Sequence, residues 1–232
     1  MNYSSYNTSR YLPSLSESSE LGKRTLDAIS CFFNTSDKTL KVLEVGCASG
    51  SFLKTLQNKQ FENVQGIDLD RELVSHGKTV LGVNVVVADW NTFMLEDGEK
   101  FDLIVALDVL EHIAPSDLPE LLKNTHKRLS SRGKLILRTP NPDCPFVLPT
   151  FCGDLTHKTL ITSELITFLL REANFNGAIK IKETVPHNKF KRYIYNIMHY
   201  IIIKPIISIF HFHFYGEFPK CITRNIYVSA EF

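Results

Sequence analysis

Between Val42 and Leu53 the chain reads VLEVGCASGSFL: an apolar run stops at Gly46, passes Cys47, Ala48 and Gly50, and resumes with helical spacing. A turn of such small residues exposes backbone N–H groups at the start of a helix, with little side chain to hold a ligand off. Something anionic or flat belongs on it. The same letters also describe a plain tight connection. Acidic groups at the ends of the neighbouring apolar runs weigh toward the ligand. Glu44 lies in the first run, and Asp68 ends the second, where a carboxylate can accept hydrogen bonds from both hydroxyls of a ribose. Asp89 and Trp90 end the third, offering an acceptor and a flat ring to an adenine; taken alone, Trp90 reads equally as a packing residue.

A second group follows. Glu111 and His112 in EHI stand just past the fourth apolar run, while Asp154 and His157 lie three apart in CGDLTHK. One helical turn would bring those two together, with the carboxylate orienting the ring and the imidazole serving as a base. Competing readings exist for each: His112 as a packing residue over the ligand, and Asp154 and His157 as caps for the helix that begins near Thr162. Cys144 and Cys152 suit small apolar packing. No pair among these residues has a recognised metal spacing, so no metal is expected.

The elements that must position these groups follow from hydropathy. Short Val/Ile/Leu runs (KVLEVG, NVQGIDLD, VNVVVADW, FDLIVALD, KLILRTPN) alternate with amphipathic stretches long enough for crossover helices, which predicts an α/β doubly wound sheet covered on both faces. Ser116 and Asp117 precede a helix with Leu118, Leu121, Leu122 and Leu129 at helical spacing, and Gly133 stands where its C-terminal cap belongs; Thr162 or Ser163 starts another. NGAIKIKETV and TRNIYVSAEF read as two final strands.

LEVGCASG, GIDLD, ADW and FDLIVALDVLEHI, in this order, resemble the successive motifs of class I S-adenosylmethionine-dependent methyltransferases, over about Lys41 to Asn141. The resemblance implies a Rossmann-like fold of about seven strands with an antiparallel last pair. It implies that Glu44, Gly46, Cys47, Ala48 and Gly50 surround the methionine part of S-adenosyl-L-methionine. Asp68 would hold the ribose, Leu69 would flank the adenine, Asp89 and Trp90 would take the adenine's edge and face, and Asp108 and Val109 would border the transferred methyl. Ala48 departs from the glycine usual at its position, which costs little at negative φ and about 1–2 kcal/mol at positive φ. GDLTHKTLITSELITFLLREANF is similar to a stretch of methyltransferases of cell-surface polysaccharide and lipid-linked sugar biosynthesis, and EHI is shared with ubiquinone-pathway O-methyltransferases. Both imply O-methylation. A nicotinamide-dependent oxidoreductase would share the Gly-rich turn, but DVLEHI after the fourth apolar run resembles the methyltransferases instead. A cofactor-binding, non-catalytic membrane adaptor is the alternative of another class.

Composition agrees with an enzyme of this size: 232 residues, 44% hydrophobic and 22% charged, with a formal charge of +1 that gives no global attraction to nucleic acid. Five scattered cysteines read as reduced thiols, and the polar, Ser-rich start is not a secretory signal, so a cytoplasmic setting is expected. Residues 1–40 read as a tail or lid with a first helix, and 41–232 as the methyltransferase domain, with an insertion at 187–222. Within it, Lys189 to Phe214 is basic at its start and then rich in Ile, Phe and Tyr, and Pro205 should break it. Two short helices lying in the interface of the inner membrane face are therefore expected, anchored by Lys189, Lys191, Arg192, Tyr193, Tyr195 and Tyr200. A substrate lid or a dimer contact are the alternatives.

Overall fold

The computed structural model describes residues 13–96, 98–184, 189–216, 218–219 and 221–232, without the side chains of residues 150, 189, 191, 192 and 215. The N-terminal YSSYNTSRY stretch, residues 187 and 188 of the insertion, and the cationic side chains expected at its start lie outside that description.

Ser14 opens the first helix, α1 (Leu15–Ile29), through a capping box: its hydroxyl accepts from the Glu17 amide, and Glu17 accepts from the Ser14 amide at 2.8 Å. Ser18, Gly22, Leu26 and Ile29 form its buried face. A Cβ at Gly22 would come within 2.2 Å of the Ser51 carbonyl oxygen, so glycine lets α1 lie directly on α2 (Ser51–Asn58).

Seven strands form one sheet in the order β3-β2-β1-β4-β5-β7-β6. They are β1 (Lys41–Val45), β2 (Asn63–Asp68), β3 (Val85–Val87), β4 (Phe101–Leu107), β5 (Leu129–Pro140), β6 (Ile179–Glu183) and β7 (Asn225–Glu231). The first five are parallel, while β7 runs antiparallel to both β5 and β6. The expected doubly wound fold with an antiparallel last pair is present. Alternate residues of β1 and β4 feed opposite cores. Leu43, Val45, Ile104 and Ala106 pack beneath α4 (Trp90–Leu95), α5 (Leu118–Lys127) and α7 (Ser163–Glu172). Val42, Leu103 and Val105 pack beneath α1, α2 and α3 (Arg71–His76).

Two local expectations are corrected. Helix α5 ends at Lys127, and Gly133 lies inside β5, in an irregular stretch where the pairing jumps from Phe101–Leu129 to Leu103–Lys134. There a Cβ would stand 2.9 Å from the Phe101 and Ser130 carbonyl oxygens, so the glycine serves the bulge rather than a helix cap. Pro205, expected to break the insertion, does not. Helix α8 (Lys189–Asn196), a π-helical stretch Ile197–Ile203 and α9 (Lys204–Tyr215) follow one another with right-handed helical junctions, making one long helix that ends on Gly216 at φ +74. The wider turns ahead of Pro205 give room for its ring against the preceding turn and replace the hydrogen bond it cannot donate.

Candidate functional site

The strand order reverses between β1 and β4, so their carboxyl ends flank the crevice where open α/β sheets take ligands. The β1–α2 turn lies there. Gly46 is left-handed at φ +65, and a Cβ on it would meet the Val109 side chain at 2.4 Å, so turn and post-β4 segment touch. Gly50 (φ +80) and Ala48 (φ +48) are left-handed too. Ala48 therefore bears the strain that its departure from glycine raised as a question. Its amide donates to Asp68 Oδ2 at 2.7 Å, and the Asp70 amide donates to Oδ1 at 2.9 Å. The carboxylate ending β2 thus fastens the turn ending β1, and burial raises its pKa. Glu44 is buried with Oε2 unpartnered, and burial, seconded by Asp68, holds its carboxyl well above the usual range. Cys47 is buried, its thiol pushed up by the same burial.

Leu69 is exposed at the crevice edge, and Asp89 caps α4 by accepting from the Thr92 amide at 3.0 Å. Trp90 requires a correction. Its ring is 3% exposed within the core, and its N–H donates to Thr125 Oγ1 at 3.1 Å. It is the first residue of α4, turned toward α5, so the packing reading holds and no face is left for an adenine. Asp108 follows β4 at φ +56 and is held by Arg138, whose Nε donates to Oδ1 at 2.7 Å.

A cleft of about 380 Å³ adjoins these residues, with Asp108, Glu111, His112, Asp154 and His157 in its lining and Arg224 and Asn225 completing it. Asp154 and His157 occupy a turn after α6 (Leu148–Phe151), and their side chains do not pair as the spacing suggested. His157 Nδ1 lies 2.7 Å from the Phe151 carbonyl, which can only accept, so Nδ1 carries the proton. Asp154 instead accepts from the Thr156 hydroxyl at 2.6 Å and the Thr156 amide at 2.9 Å. Burial pushes Asp154 up, yet those two bonds, together with the nearby His157 and His112, outweigh it and leave the carboxyl below its ordinary range. With its proton on Asp154, Thr156 Oγ1 accepts from His112 Nδ1 at 2.8 Å. Both imidazoles thus have Nδ1 engaged and Nε2 free of these bonds, and their rings meet edge-on with centroids 4.7 Å apart. Burial and then His157 lower the His112 pKa, which favours the neutral ring.

Glu111 is 1% exposed, its Oε2 has no partner, and burial followed by Asp108 pushes its pKa to about 8. One oxygen of Glu111 and one ring nitrogen each of His112 and His157 lie within 4.8 Å of one another, the group among the described residues that could hold a cation. Thr156 stands inside DLTH between two ionisable residues, and no spacing in the letters marks its hydroxyl as the link to His112. Arg138 and Arg224 belong to strand and loop segments without a motif; pairing of β4 with β5 sets Arg138 beside Asp108, and pairing of β5 with β7 brings the Arg224 loop to the end of β5.

The methyltransferase domain family matches residues 17–180. A mitochondrial ubiquinone biosynthesis O-methyltransferase of Candida albicans is 32% identical over 168 residues, 64% of this chain and 50% of that protein. Cyclopropane mycolic acid synthase 3 of Mycobacterium tuberculosis is 26% identical over 56% of this chain and 44% of its own length. The chain thus spans about half the length of these curated relatives, or less. A SAM-dependent methyltransferase structure from Archaeoglobus fulgidus superposes over 100% of both chains with a TM-score of 0.70 at 20% identity, a likeness of fold. The chain belongs to the methyltransferase domain family.

Proposed function

We propose that this protein transfers a methyl group from S-adenosylmethionine to a hydroxyl on a sugar or lipid-linked acceptor held in the 380 Å³ cleft. The crevice residues fit that cofactor: the left-handed turn from Gly46 to Gly50 leaves its backbone open, and the orphaned buried oxygen of Glu44 suits an ammonium group. Asp68 remains the residue assigned to the ribose, and Leu69 and Asp89 the ones assigned to the adenine. Asp108 and Val109 border the reacting centre. When bound, the cofactor supplies a methyl group on a sulfonium, a good leaving group. What remains for the chain is alignment and removal of the hydroxyl proton.

The observation that carries the reading is the Asp154–Thr156–His112 chain. Nε2 of His112 takes the acceptor proton, and the charge then developing on the ring is stabilised through Thr156 by ionised Asp154. His157, tied only to a backbone carbonyl, orients the acceptor and His112 rather than acting as the principal base. His112→Ala should lower turnover about 100-fold or more at unchanged cofactor affinity, and His157→Ala less. The reverse order would return the base to His157. Loss of activity on dialysis against a chelator, restored by magnesium, would instead assign Glu111, His112 and His157 to a cation.

The acceptor class is supported by the insertion. From Tyr193 to Phe214 the helix is long and apolar enough to cross a membrane, yet its middle is tied to the sheet: Glu183, ending β6, accepts from Tyr200 Oη at 3.2 Å and Lys204 Nζ at 3.1 Å, with His199 Nε2 at 3.3 Å. Spanning would draw β6 into hydrocarbon. We infer that the helix lies along a membrane surface at the cytoplasmic side, with residues such as Ile201, Ile209 and Phe210, each more than 60% exposed, in lipid.

A further inference from the structure

The cleft contains a cation that the reaction does not use. Arg224 lies in its lining, and its guanidinium has neither an ion pair nor a hydrogen bond among the described residues. Every other charged group there is engaged or neutralised. Asp108 is held by Arg138, Asp154 by Thr156, and Glu111 is buried, which raises its pKa to about 8. Arg224 is exposed, but the backbone that carries it is held in place. Asn141, fully buried at the end of β5, donates its amide to the Arg224 carbonyl at 2.7 Å, and its side chain donates to the carbonyls of Cys221 at 3.1 Å and Thr223 at 2.9 Å. The loop carrying Arg224 is thus pinned where the chain returns from the exposed apolar helix to β7. The next residue, Asn225, also lines the cleft, and its Oδ1 is buried without a partner. A buried polar atom with no partner carries a desolvation cost that a ligand hydroxyl would remove.

We propose that Arg224 binds an ionised oxyanion, a phosphate or carboxylate, carried by the methyl acceptor, and that Asn225 bonds a hydroxyl of the same molecule. This rests on the reading of the cleft as the acceptor site. The planar guanidinium fork matches an oxyanion through two parallel hydrogen bonds. The Ile222 amide, two residues before Arg224, donates to the same Glu183 carboxylate that holds the middle of the apolar helix, so an acceptor could place its anionic group on the arginine and an apolar tail toward the helix. The acidic group is part of either a lipid headgroup or a small soluble metabolite.

Calorimetry on the full chain saturated with S-adenosylhomocysteine tests this with hexyl phosphate and hexanoate, and with hexyl glucoside as the uncharged counterpart. Wild type should bind at least one of the two anions. Arg224→Gln should weaken that binding ten-fold or more, Arg224→Lys less, and hexyl glucoside should respond equally to wild type and both variants. Equal anion affinity in wild type and Arg224→Gln, or no binding of either anion to wild type, overturns the proposal. Displacement of the bound anion by inorganic phosphate alone supports a soluble phosphorylated acceptor. Displacement only by phosphatidic acid vesicles supports a lipid one. Binding of S-adenosylhomocysteine, recorded in the same samples, separates the two levels: its absence would sink the methyltransferase reading while the Arg224 comparison still stands or falls on its own.

Discussion

The hydroxyl of Thr156 lies 2.8 Å from Nδ1 of His112, joining the turn after α6 to the segment after β4 across 44 residues of chain. A second link holds the same two segments: the amides of Lys158 and Thr159 both donate to the Glu111 carbonyl, at 2.7 and 3.1 Å. The ring of His112 is therefore oriented by a segment distant in sequence. Thr156→Val keeps the shape and removes both side-chain bonds. We expect turnover to fall about ten-fold, less than for loss of the ring itself, with cofactor affinity unchanged and Thr156→Ser close to wild type. Steady-state kinetics with calorimetry of S-adenosylhomocysteine checks this; wild-type turnover in Thr156→Val would remove the chain from the mechanism.

Asp68 joins the turn after β1 to the end of β2 through the Ala48 and Asp70 amides. Replacing it by alanine should weaken S-adenosylmethionine binding ten-fold or more, because charge-assisted hydrogen bonds contribute about 1.5–3 kcal/mol. Titration calorimetry reads the change. Unaltered affinity would leave Asp68 with a purely structural task.

Ala48 at φ +48 carries a methyl group in a conformation that suits glycine. Relief of that strain should exceed the extra freedom glycine gains in the unfolded chain, so Ala48→Gly is expected to stabilise the fold by about 1 kcal/mol, roughly 2–4 °C in Tm. Differential scanning calorimetry measures it, and a lower Tm would mean that the turn relaxes around the methyl group.

The docked helix yields a prediction about lipid and one about pH. In flotation with anionic liposomes the wild type should rise with the vesicles, and Ile201→Glu combined with Ile209→Glu should stay behind while still binding S-adenosylhomocysteine. Glu183 is pushed up by burial but held below its ordinary value overall by the Ile222 amide and Lys204, with His199 and Tyr200 against it. A lowered folded-state pKa adds stability above the ordinary glutamate pKa and loses it as pH falls through the folded-state value. Glu183→Gln should therefore cost about 2 kcal/mol at pH 7, and the gap to wild type should close below pH 4.5. A gap independent of pH would sink the assignment.

The strands, their order along the chain, the glycine turn and the acidic residues ending β2 and β3 were legible in the letters. Each is set by local rules: apolar runs suited to burial on both faces, small residues where φ turns positive, carboxylates at strand ends. Three matters depended on the folded whole. Trp90 could face a ligand or the core, and the packing of α4 on α5 turned its ring inward to Thr125. Asp154 had His157 as its near neighbour in sequence, yet the turn after α6 gave His157 to a backbone carbonyl and sent the carboxylate through Thr156 to His112. Pro205 should end a helix by its own stereochemistry, but the π-helical turns before it and the ties of Glu183 to the helix carried the chain through. In each case local preference alone did not settle the outcome, and contacts formed in the folded chain, which no window of letters contains, decided it.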